Sequence, residues 1–263
     1  KSSLVNQLAL HYRKKENKRV AIVAIDPSSP FTGGAVLGDR VRMRDLSGDP
    51  NVFIRSMASR GSLGGLAQAT ANVVQVFDAA GFDVVIVETV GAGQSEVDIA
   101  RLAHTTLVVE APGLGDDIQA IKAGILEIAD ILVVNKGDRP GVENTEKALK
   151  TMLELAHPTE RVFKHHGTYM NVSAPKANAN SKIWIPPIQR TVSTEGMGIV
   201  ELTDAIARHV EHLRLSGDWA IRERTRLEVE LEALIREGLM TKFREQLTAE
   251  AYEKVLEAVV ERK

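Results

Sequence analysis

The amino-acid sequence predicts an α/β fold in which a mostly parallel sheet carries helices on both faces, followed by a C-terminal helical arm. Four apolar runs, each ending in polar residues and separated by helical stretches, lie at residues 19–26, 83–88, 105–110 and 131–135. Continuous hydrophobicity of this kind is typical of strands buried on both faces of a parallel sheet. Beyond about residue 214 Glu, Arg and Leu dominate, as in long amphipathic helices. These observations predict a first domain over 1–200 and a helical arm over 201–263.

The composition is that of an ordinary globular protein, with 263 residues, of which 44% are hydrophobic and 26% charged. The formal net charge of −2 gives no global field that would attract nucleic acid or an anionic membrane. No apolar run reaches the roughly 18 residues of a membrane-spanning helix. The sequence contains no cysteine, which excludes disulfides, zinc–thiolate sites and cysteine nucleophiles. We therefore expect neither nucleic acid nor a membrane among the partners.

The predicted helices start at the first residue. Residues 1–16 are predicted to form an amphipathic helix with Leu4, Leu8 and Tyr12 on one side. Because the sequence begins inside this helix, without methionine or a capping residue, we expect further residues to precede Lys1 in the natural protein. Other helices are predicted at about 62–80, 116–129, 143–157 and 199–213.

After the fourth predicted strand the composition of the chain changes at two places. The stretch 158–190 is rich in Asn, Pro and Ser, and it is predicted to be a long loop or a small excursion before a last strand at 189–193. Two helices are predicted beyond residue 214. The first has an apolar face formed by Leu227, Leu231, Leu234 and Ile235, and the second has one formed by Leu247, Ala251, Val255 and Val259.

Lys1 and Ser2 match the last two residues of the P-loop pattern, a glycine-rich turn followed by Lys and Ser or Thr. Their position supports the match, because a helix begins here and a strand ending in Asp26 follows. In a P-loop NTPase, Lys1 would contact the β- and γ-phosphates, the Ser2 hydroxyl would bind Mg²⁺, and Ser3 would extend the phosphate-binding turn. The alternative is an exposed lysine at a chain end.

Asn135-Lys136-Gly137-Asp138 follows an apolar strand and matches the N-K-x-D element with which GTPases recognise guanine. Asp138 can accept hydrogen bonds from the guanine N1–H and 2-amino group, whereas adenine offers no matching pair of donors. Asn135 would brace the loop and reach the base edge, and the Lys136 stem would lie along the ring. The alternative is a polar turn after a strand. The motif predicts GTP and GDP as substrate and product.

Acidic residues at strand ends predict a metal-bound phosphate, since ligands of parallel sheets bind at the carboxyl ends of the strands. Glu88 would hold Mg²⁺ through a water, and the Gly91 N–H would approach the γ-phosphate closely because glycine has no side chain. Asp26 and Asp39 flank a glycine-rich segment, and one or both would complete the magnesium site or position the attacking water. The alternatives are a helix cap for Asp26 and an ion-pair partner of a neighbouring arginine for Asp39.

Two more segments are candidates for the same site. Residues 113–122 form a glycine-containing loop that enters a helix, with Lys122 either a surface charge or a functional group. Ser193 and Thr194 follow the last predicted strand, where backbone N–H groups of GTPases usually contact the guanine O6 atom.

Together these motifs resemble one family, the GTPases associated with methylmalonyl-CoA mutase, which also carry the older label of arginine/ornithine transport ATPases. The resemblance rests on A-I-D-P-S-S and T-G-G-A-V-L-G-D-R-V-R-M within 24–43, F-I-R-S-M-A-S-R-G-S-L-G-G-L-A at 53–67, and V-E-T-V-G-A-G-Q-S-E at 87–96. P-G-L-G-D-D-I-Q-A-I-K-A-G-I at 112–125 and N-K-G-D at 135–138 complete the set. The stretch 158–190 is longer than the family pattern, which weakens the carry-over to Ser193.

The resemblance implies a chaperone that gates adenosylcobalamin loading onto an acyl-CoA mutase such as methylmalonyl-CoA mutase, and that protects this client, with GTP hydrolysis as the timer. It implies that Lys1 and Ser2 are the Walker A pair and that Asp39, Glu88 and Lys122 serve hydrolysis, the last in a switch loop that couples partner binding to turnover. It also implies a homodimer formed through the helical arm. The expected location is the cytoplasm for a bacterial member and the mitochondrial matrix for a eukaryotic one.

Three other functions are alternatives at this stage. A metallochaperone GTPase delivering nickel or cobalt usually carries a Cys/His cluster, and the lack of cysteine argues against it. A kinase or ATPase linked to amino-acid transport would have no use for Asp138, because adenine offers that carboxylate nothing to bind. The third alternative is a binding module whose nucleotide is structural and is not turned over.

Overall fold

The computed structural model describes residues 1–27, 43–46, 48–59, 63–89, 99–113, 128–156, 161–165, 168–172 and 183–262. Its helices are α1 (Ser2–Glu16), α2 (Leu63–Ala79), α3 (Val142–Ala156), α4 (Ile199–Ser216), α5 (Asp218–Gln246) and α6 (Ala249–Val260), with a 3₁₀ turn at Arg44–Leu46. Its strands are β1 (Val20–Pro27), β2 (Val52–Ser59), β3 (Val84–Thr89), β4 (Leu107–Glu110), β5 (Ile131–Asn135), β6 (Arg161–His165), β7 (Thr168–Val172) and β8 (Ile188–Thr191). The helix predicted at 116–129 falls almost entirely outside the described residues.

Two three-stranded sheets contain six of these strands, with the orders β2-β1-β3 and β4-β5-β8. Every pairing within them is parallel. In the first sheet Val20 aligns with both Val52 and Val84, and in the second Val134 aligns with Glu110 and Arg190. The carboxyl ends of the strands in each sheet therefore lie at one edge, as the polar strand ends in the sequence predicted.

Three strands were not predicted from the sequence. The strand β2 lies at the edge of the first sheet, and Arg55 and Ser56 interrupt its apolar residues, so it lacks the continuous apolar run of a buried strand. Strands β6 and β7 pair antiparallel, with His165 opposite Thr168, inside the stretch predicted to be irregular. The stretch was predicted to be a long loop or a small excursion, and the hairpin is such an excursion. Its two strands were not predicted, because a short hairpin that mixes charged, aromatic and polar residues shows no hydrophobic period.

Helices cover both faces of the two sheets, which confirms the predicted fold class. On one face of the second sheet, α1 and α4 contribute Leu8 and Leu202 to a cluster with Val133, and on the other face α3 packs Leu149 against Val134. The first sheet lies between α1 and α2 in the same way. The central strands β1 and β5 are fully buried along most of their length. Each large apolar side chain buried in this way contributes roughly 1.5–3 kcal/mol.

Helix α1 packs against both sheets and thereby fixes its own amino terminus. Leu4 belongs to the cluster around β5, whereas Val5 belongs to the cluster around β1. Tyr12 near the other end is buried, and this burial raises the pKa of its phenol to about 12. Arg13 adds an ion pair to Asp49, with Nε and Oδ2 separated by 2.8 Å. These contacts hold the helix that carries Ser2 in one position.

A buried polar network closes the amino-terminal edge of the second sheet. Asp130 accepts a hydrogen bond from the Thr106 N–H at 2.8 Å, and its other oxygen lies 3.2 Å from Nε2 of His209. The His209 Nδ1 atom lies 3.0 Å from the Thr105 hydroxyl, and the Trp184 indole donates to the Asp130 carbonyl at 2.8 Å. The Asp130 carboxylate is therefore placed to accept a hydrogen bond from the Nε2 atom of His209. The network ties α4 and the chain before β8 to the edge opposite the polar strand ends.

The chain divides into two compact units, Lys1–Ala220 and Ile221–Lys263, and the second contains most of α5 together with α6. Thr248 caps α6, since its hydroxyl accepts from the Ala251 N–H at 3.2 Å. Four apolar residues predicted to share one face of α5 are more than half exposed: Leu227, Leu231, Leu234 and Ile235. The domain boundary predicted at residue 200 stays a prediction.

Candidate functional site

The start of α1 meets the end of β3. The Ser2 hydroxyl donates to Glu88 Oε1 at 2.8 Å, and both side chains are buried. The Lys1 ammonium donates to the Thr89 carbonyl at 3.4 Å, while Lys1 itself stays exposed. The amino terminus of a helix carries a partial positive charge that favours phosphate. This end of the sheet therefore combines a cation, a helix terminus and a paired hydroxyl and carboxylate.

The Ser2 hydroxyl and the Glu88 carboxylate are the kinds of oxygen ligand that Mg²⁺ prefers, together with phosphate oxygens. The β1–β3 register pairs Ala24 with Glu88, so the Asp26 backbone lies at the same edge of the sheet, two positions further along β1. The Asp26 side chain lies outside the described residues. So do Asp39, Gly91 and Lys122, the other predicted members of the site.

In the described ranges, no three His, Cys, Asp or Glu side chains gather into a group that could hold a metal ion. Ser2 and Glu88 are thus two oxygen-bearing side chains of the described residues that would be available to a cation at this edge.

The second predicted motif is organised around one amide oxygen. Asn135 ends β5 with its side chain buried, and its Oδ1 accepts from the Lys136 N–H at 2.8 Å and the Thr191 hydroxyl at 3.2 Å. It also accepts from the Ser193 hydroxyl at 2.8 Å and from the Ser193 N–H at 3.2 Å. The amide therefore joins the loop after β5 to the chain after β8.

The loop after β5 has a left-handed residue next to a backbone contact with β8. Lys136 has a φ of 58°, a left-handed conformation that is uncommon for a residue with a side chain. The Gly137 N–H donates to the Thr191 carbonyl at 2.9 Å, which fixes the middle of the loop to β8. Lys136 and Asp138 on either side of Gly137 are exposed. The backbone is held while both charged side chains stay accessible to a ligand.

The residues after β8 differ in their surroundings. Ser193 is buried and bonded to Asn135, whereas Thr194 is exposed in the turn that follows. The structure therefore brings Lys1 and Ser2 to Glu88, and Asn135 to Ser193. Ser3 is exposed in the first turn of α1.

Two residues near the guanine motif were missed in the sequence. Thr191 aligns with Asn135 in the β5–β8 register, and Arg190 forms a two-nitrogen ion pair with Glu146 of α3 at 2.7 and 2.8 Å. The positions of Thr191 and Arg190 both depend on the pairing of β5 with β8, whose paired residues lie more than fifty positions apart in the chain. No local pattern in the sequence reports that pairing.

The family model for the methylmalonyl-CoA mutase-associated GTPase MeaB matches residues 1–248. The chain belongs to the MeaB family. It is 44% identical over 259 residues to a protein of Pyrococcus abyssi that is named as a GTPase, covering 98% of this chain and 74% of that relative. It is 32% identical over 231 residues to the mouse protein named methylmalonic aciduria type A homolog, mitochondrial, covering 88% of this chain and 51% of that relative.

The crystal structure of a LAO/AO transport system kinase has a similar fold, with a TM-score of 0.62 and 27% identity, covering 99% of this chain and 72% of that one. The family description and the name of the Pyrococcus relative both give the activity, and this MeaB-family chain is a GTPase. Among the helices of the described ranges, none combines the length and the hydrophobicity needed to cross a membrane.

Proposed function

We propose that this MeaB-family GTPase is a chaperone that gates adenosylcobalamin loading onto an acyl-CoA mutase such as methylmalonyl-CoA mutase and protects that client. The family description names the mutase, which supports a client of this chemistry. The observation that carries the nucleotide part of the proposal is the Asn135 hydrogen-bond centre, which fixes the loop of Asp138 while leaving that carboxylate exposed.

The proposed roles follow from the two parts of the site. Asp138 accepts hydrogen bonds from the guanine edge, Asn135 holds its loop, and the Lys136 stem covers the base. Thr194 and Ser193 lie after β8, where their segment would approach the O6 atom of the base.

At the phosphate end, Lys1 neutralises charge on the β- and γ-phosphates, and the amide of Ser3 belongs to the turn that surrounds them. Ser2 and Glu88 would hold Mg²⁺, and Asp26 and Asp39 are proposed to complete its surroundings. The cation, when bound, supplies neutralisation of the developing negative charge.

The remaining proposed residues serve the hydrolytic step. Asp39, alone or with Asp26, orients the attacking water, Glu88 contributes through the cation that it would hold, and the amide of Gly91 approaches the γ-phosphate. Lys122 couples the mutase to turnover through its loop. We place the protein in the cytoplasm of a bacterial cell, or in the mitochondrial matrix of a eukaryotic one.

The test combines co-purification of the full chain with a mutase and measurement of GTP hydrolysis with and without it. The proposal expects a complex and a faster turnover in the presence of the mutase. Hydrolysis that is unchanged by a mutase that also fails to bind would overturn the chaperone role.

A metallochaperone for nickel or cobalt is the second candidate, because such proteins belong to the same class of GTPases. Two observations oppose it: the chain has no cysteine, and its described residues contain no cluster of metal-binding side chains. Titration calorimetry with nickel and cobalt, in the presence of GTP, separates the two proposals.

A further inference from the structure

Arg190 lies beneath the loop of the proposed guanine site and joins it to the helix that follows. Its Nε and Nη2 atoms donate to the two carboxylate oxygens of Glu146, at 2.7 and 2.8 Å. Its Nη1 atom lies 3.6 Å from Glu143 Oε1. Both glutamates stand in the first half of α3, the helix that begins directly after the guanine loop. The side chain thus spans from β8 to the start of α3.

The stem of the same side chain touches the middle of the guanine loop. A Cβ atom built on Gly137 would lie 2.5 Å from Arg190 Cγ and 2.9 Å from its Cδ, so only glycine fits against this stem. The next residue, Thr191, accepts the Gly137 N–H through its carbonyl. The carbonyl of Arg190 lies against Gly198, which has a φ of 76° at the start of α4. One residue of β8 therefore contacts the loop and both helix starts.

The charges of this pair are mutually stabilised. The Arg190 hydrogen bond holds the pKa of the Glu146 carboxyl below its usual range, and the Glu146 carboxylate raises the pKa of Arg190. Both groups are therefore ionised at neutral pH. A two-nitrogen bond to a carboxylate is also directional, so it fixes the rotamer of the arginine as well as its charge.

We propose that Arg190 is a positioning residue that sets guanine specificity, by holding Gly137 so that Asp138 meets the edge of the base. This inference rests on the proposed guanine site at Asp138. Arg190 itself stays partly exposed, and ion pairs at such positions add little to global stability. Its effect should therefore appear in nucleotide discrimination before it appears in folding.

The test compares GDP with inosine diphosphate, which lacks the 2-amino group that Asp138 would accept from. Dissociation constants for both nucleotides are measured on the full chain and on Arg190→Ala, Arg190→Lys and Glu146→Gln. We expect Arg190→Ala to weaken GDP binding about tenfold, the effect of one lost hydrogen bond to a charged group, while inosine diphosphate binding changes less. Arg190→Lys keeps the aliphatic stem and the charge but loses the two-nitrogen guanidinium group. Glu146→Gln keeps that group but removes the charge of its partner. The GDP dissociation constants of both variants should therefore lie between those of the parent and of Arg190→Ala.

Arg13→Ala is the matched control, because Arg13 also donates two nitrogens to one carboxylate, that of Asp49, at the other end of α1. It should keep the parent ratio of the two dissociation constants. An unchanged unfolding midpoint shows that Arg190→Ala is folded. If this folded variant keeps the parent ratio of the two dissociation constants, the role of Arg190 is overturned and the guanine site at Asp138 is not. A parent protein that binds GDP and inosine diphosphate equally overturns the guanine site at Asp138 as well, so the two failures are distinct.

Discussion

The side-chain amide of Asn135 connects the loop after β5 to the chain after β8 through a single oxygen. Its single oxygen accepts from the backbone of Lys136 and from Thr191 and Ser193, both of which are buried. Buried donors that lose their acceptor cost about 1–3 kcal/mol each, because water cannot replace the lost bond. Replacing Asn135 by any residue without a hydrogen-bond acceptor should therefore destabilise the protein.

Asn135→Ala removes that acceptor from two buried side chains and one buried N–H group. We expect the free energy of unfolding to fall by roughly 3 kcal/mol and GDP affinity to fall at least about tenfold. Chemical denaturation and nucleotide titration measure the two effects. Asn144→Ala, an exposed asparagine of α3, is the control and should behave like the parent. Matching denaturation midpoints for Asn135→Ala and the parent would contradict this role.

Asp49 gives a prediction for acid stability. The hydrogen bond from Arg13, followed by the Asn51 N–H, lowers the pKa of the Asp49 carboxyl from its usual 3.8. A carboxyl whose pKa is lower in the folded state stabilises the protein above pH 3.8, and this contribution is lost as the pH falls through the folded-state pKa. The parent should therefore exceed Asp49→Asn in stability near neutral pH, and the difference should vanish in strong acid. A difference that is constant from neutral pH into strong acid would contradict the assignment.

Among the elements, α1 and α5 differ in how far their apolar faces are buried. Helix α1 buries Leu4, Leu8 and Tyr12, so its apolar face is accounted for within the first unit. The face of α5 around Leu231 and Ile235 is more than half exposed. Exposed apolar faces of this kind mark interaction sites in soluble proteins. This contrast supports the homodimer that the family resemblance implies, and we propose that a second copy covers the α5 face.

The double substitution Leu231→Glu and Ile235→Glu tests the dimer. A stable interface buries about 800 Å² on each partner. Two glutamates at its centre would be buried away from water without a partner charge, which opposes association. We expect the parent to sediment as a dimer and the variant as a monomer. Glu232→Gln, an exposed change on the same helix, should leave the mass unchanged. A parent that is monomeric at all concentrations would exclude this role for the arm.

The elements also show where sequence reasoning succeeds. The strands β1 and β5 were predictable because burial on both faces leaves a continuous apolar run, as from Ile131 to Val134. The edge strand β2 was not, because Arg55 and Ser56 interrupt its apolar run. Arg190 and Thr191 could not be found either, since their contacts depend on the register between β5 and β8. Motifs report local chemistry, whereas register is set by packing across the whole chain.

In the whole molecule, the proposed guanine-binding loop and the buried polar network lie at opposite edges of the second sheet. The carboxyl ends carry Asn135 and its loop, while the other edge is closed by Asp130, His209 and Trp184. A rigid base of this kind allows the strand ends to hold ligand-binding loops in fixed positions. Recognition of guanine by the loop held at this edge is therefore the central claim to test.

The most direct measurement is a titration of the parent and of Asp138→Asn with GDP and with xanthosine diphosphate. Asparagine can donate to the 2-oxo group of xanthine but cannot accept from both donors of guanine. The account predicts that Asp138→Asn loses GDP affinity by at least about tenfold, the cost of one charge-assisted hydrogen bond, and gains affinity for xanthosine diphosphate. A folded Asp138→Asn protein that binds GDP as tightly as the parent would contradict it.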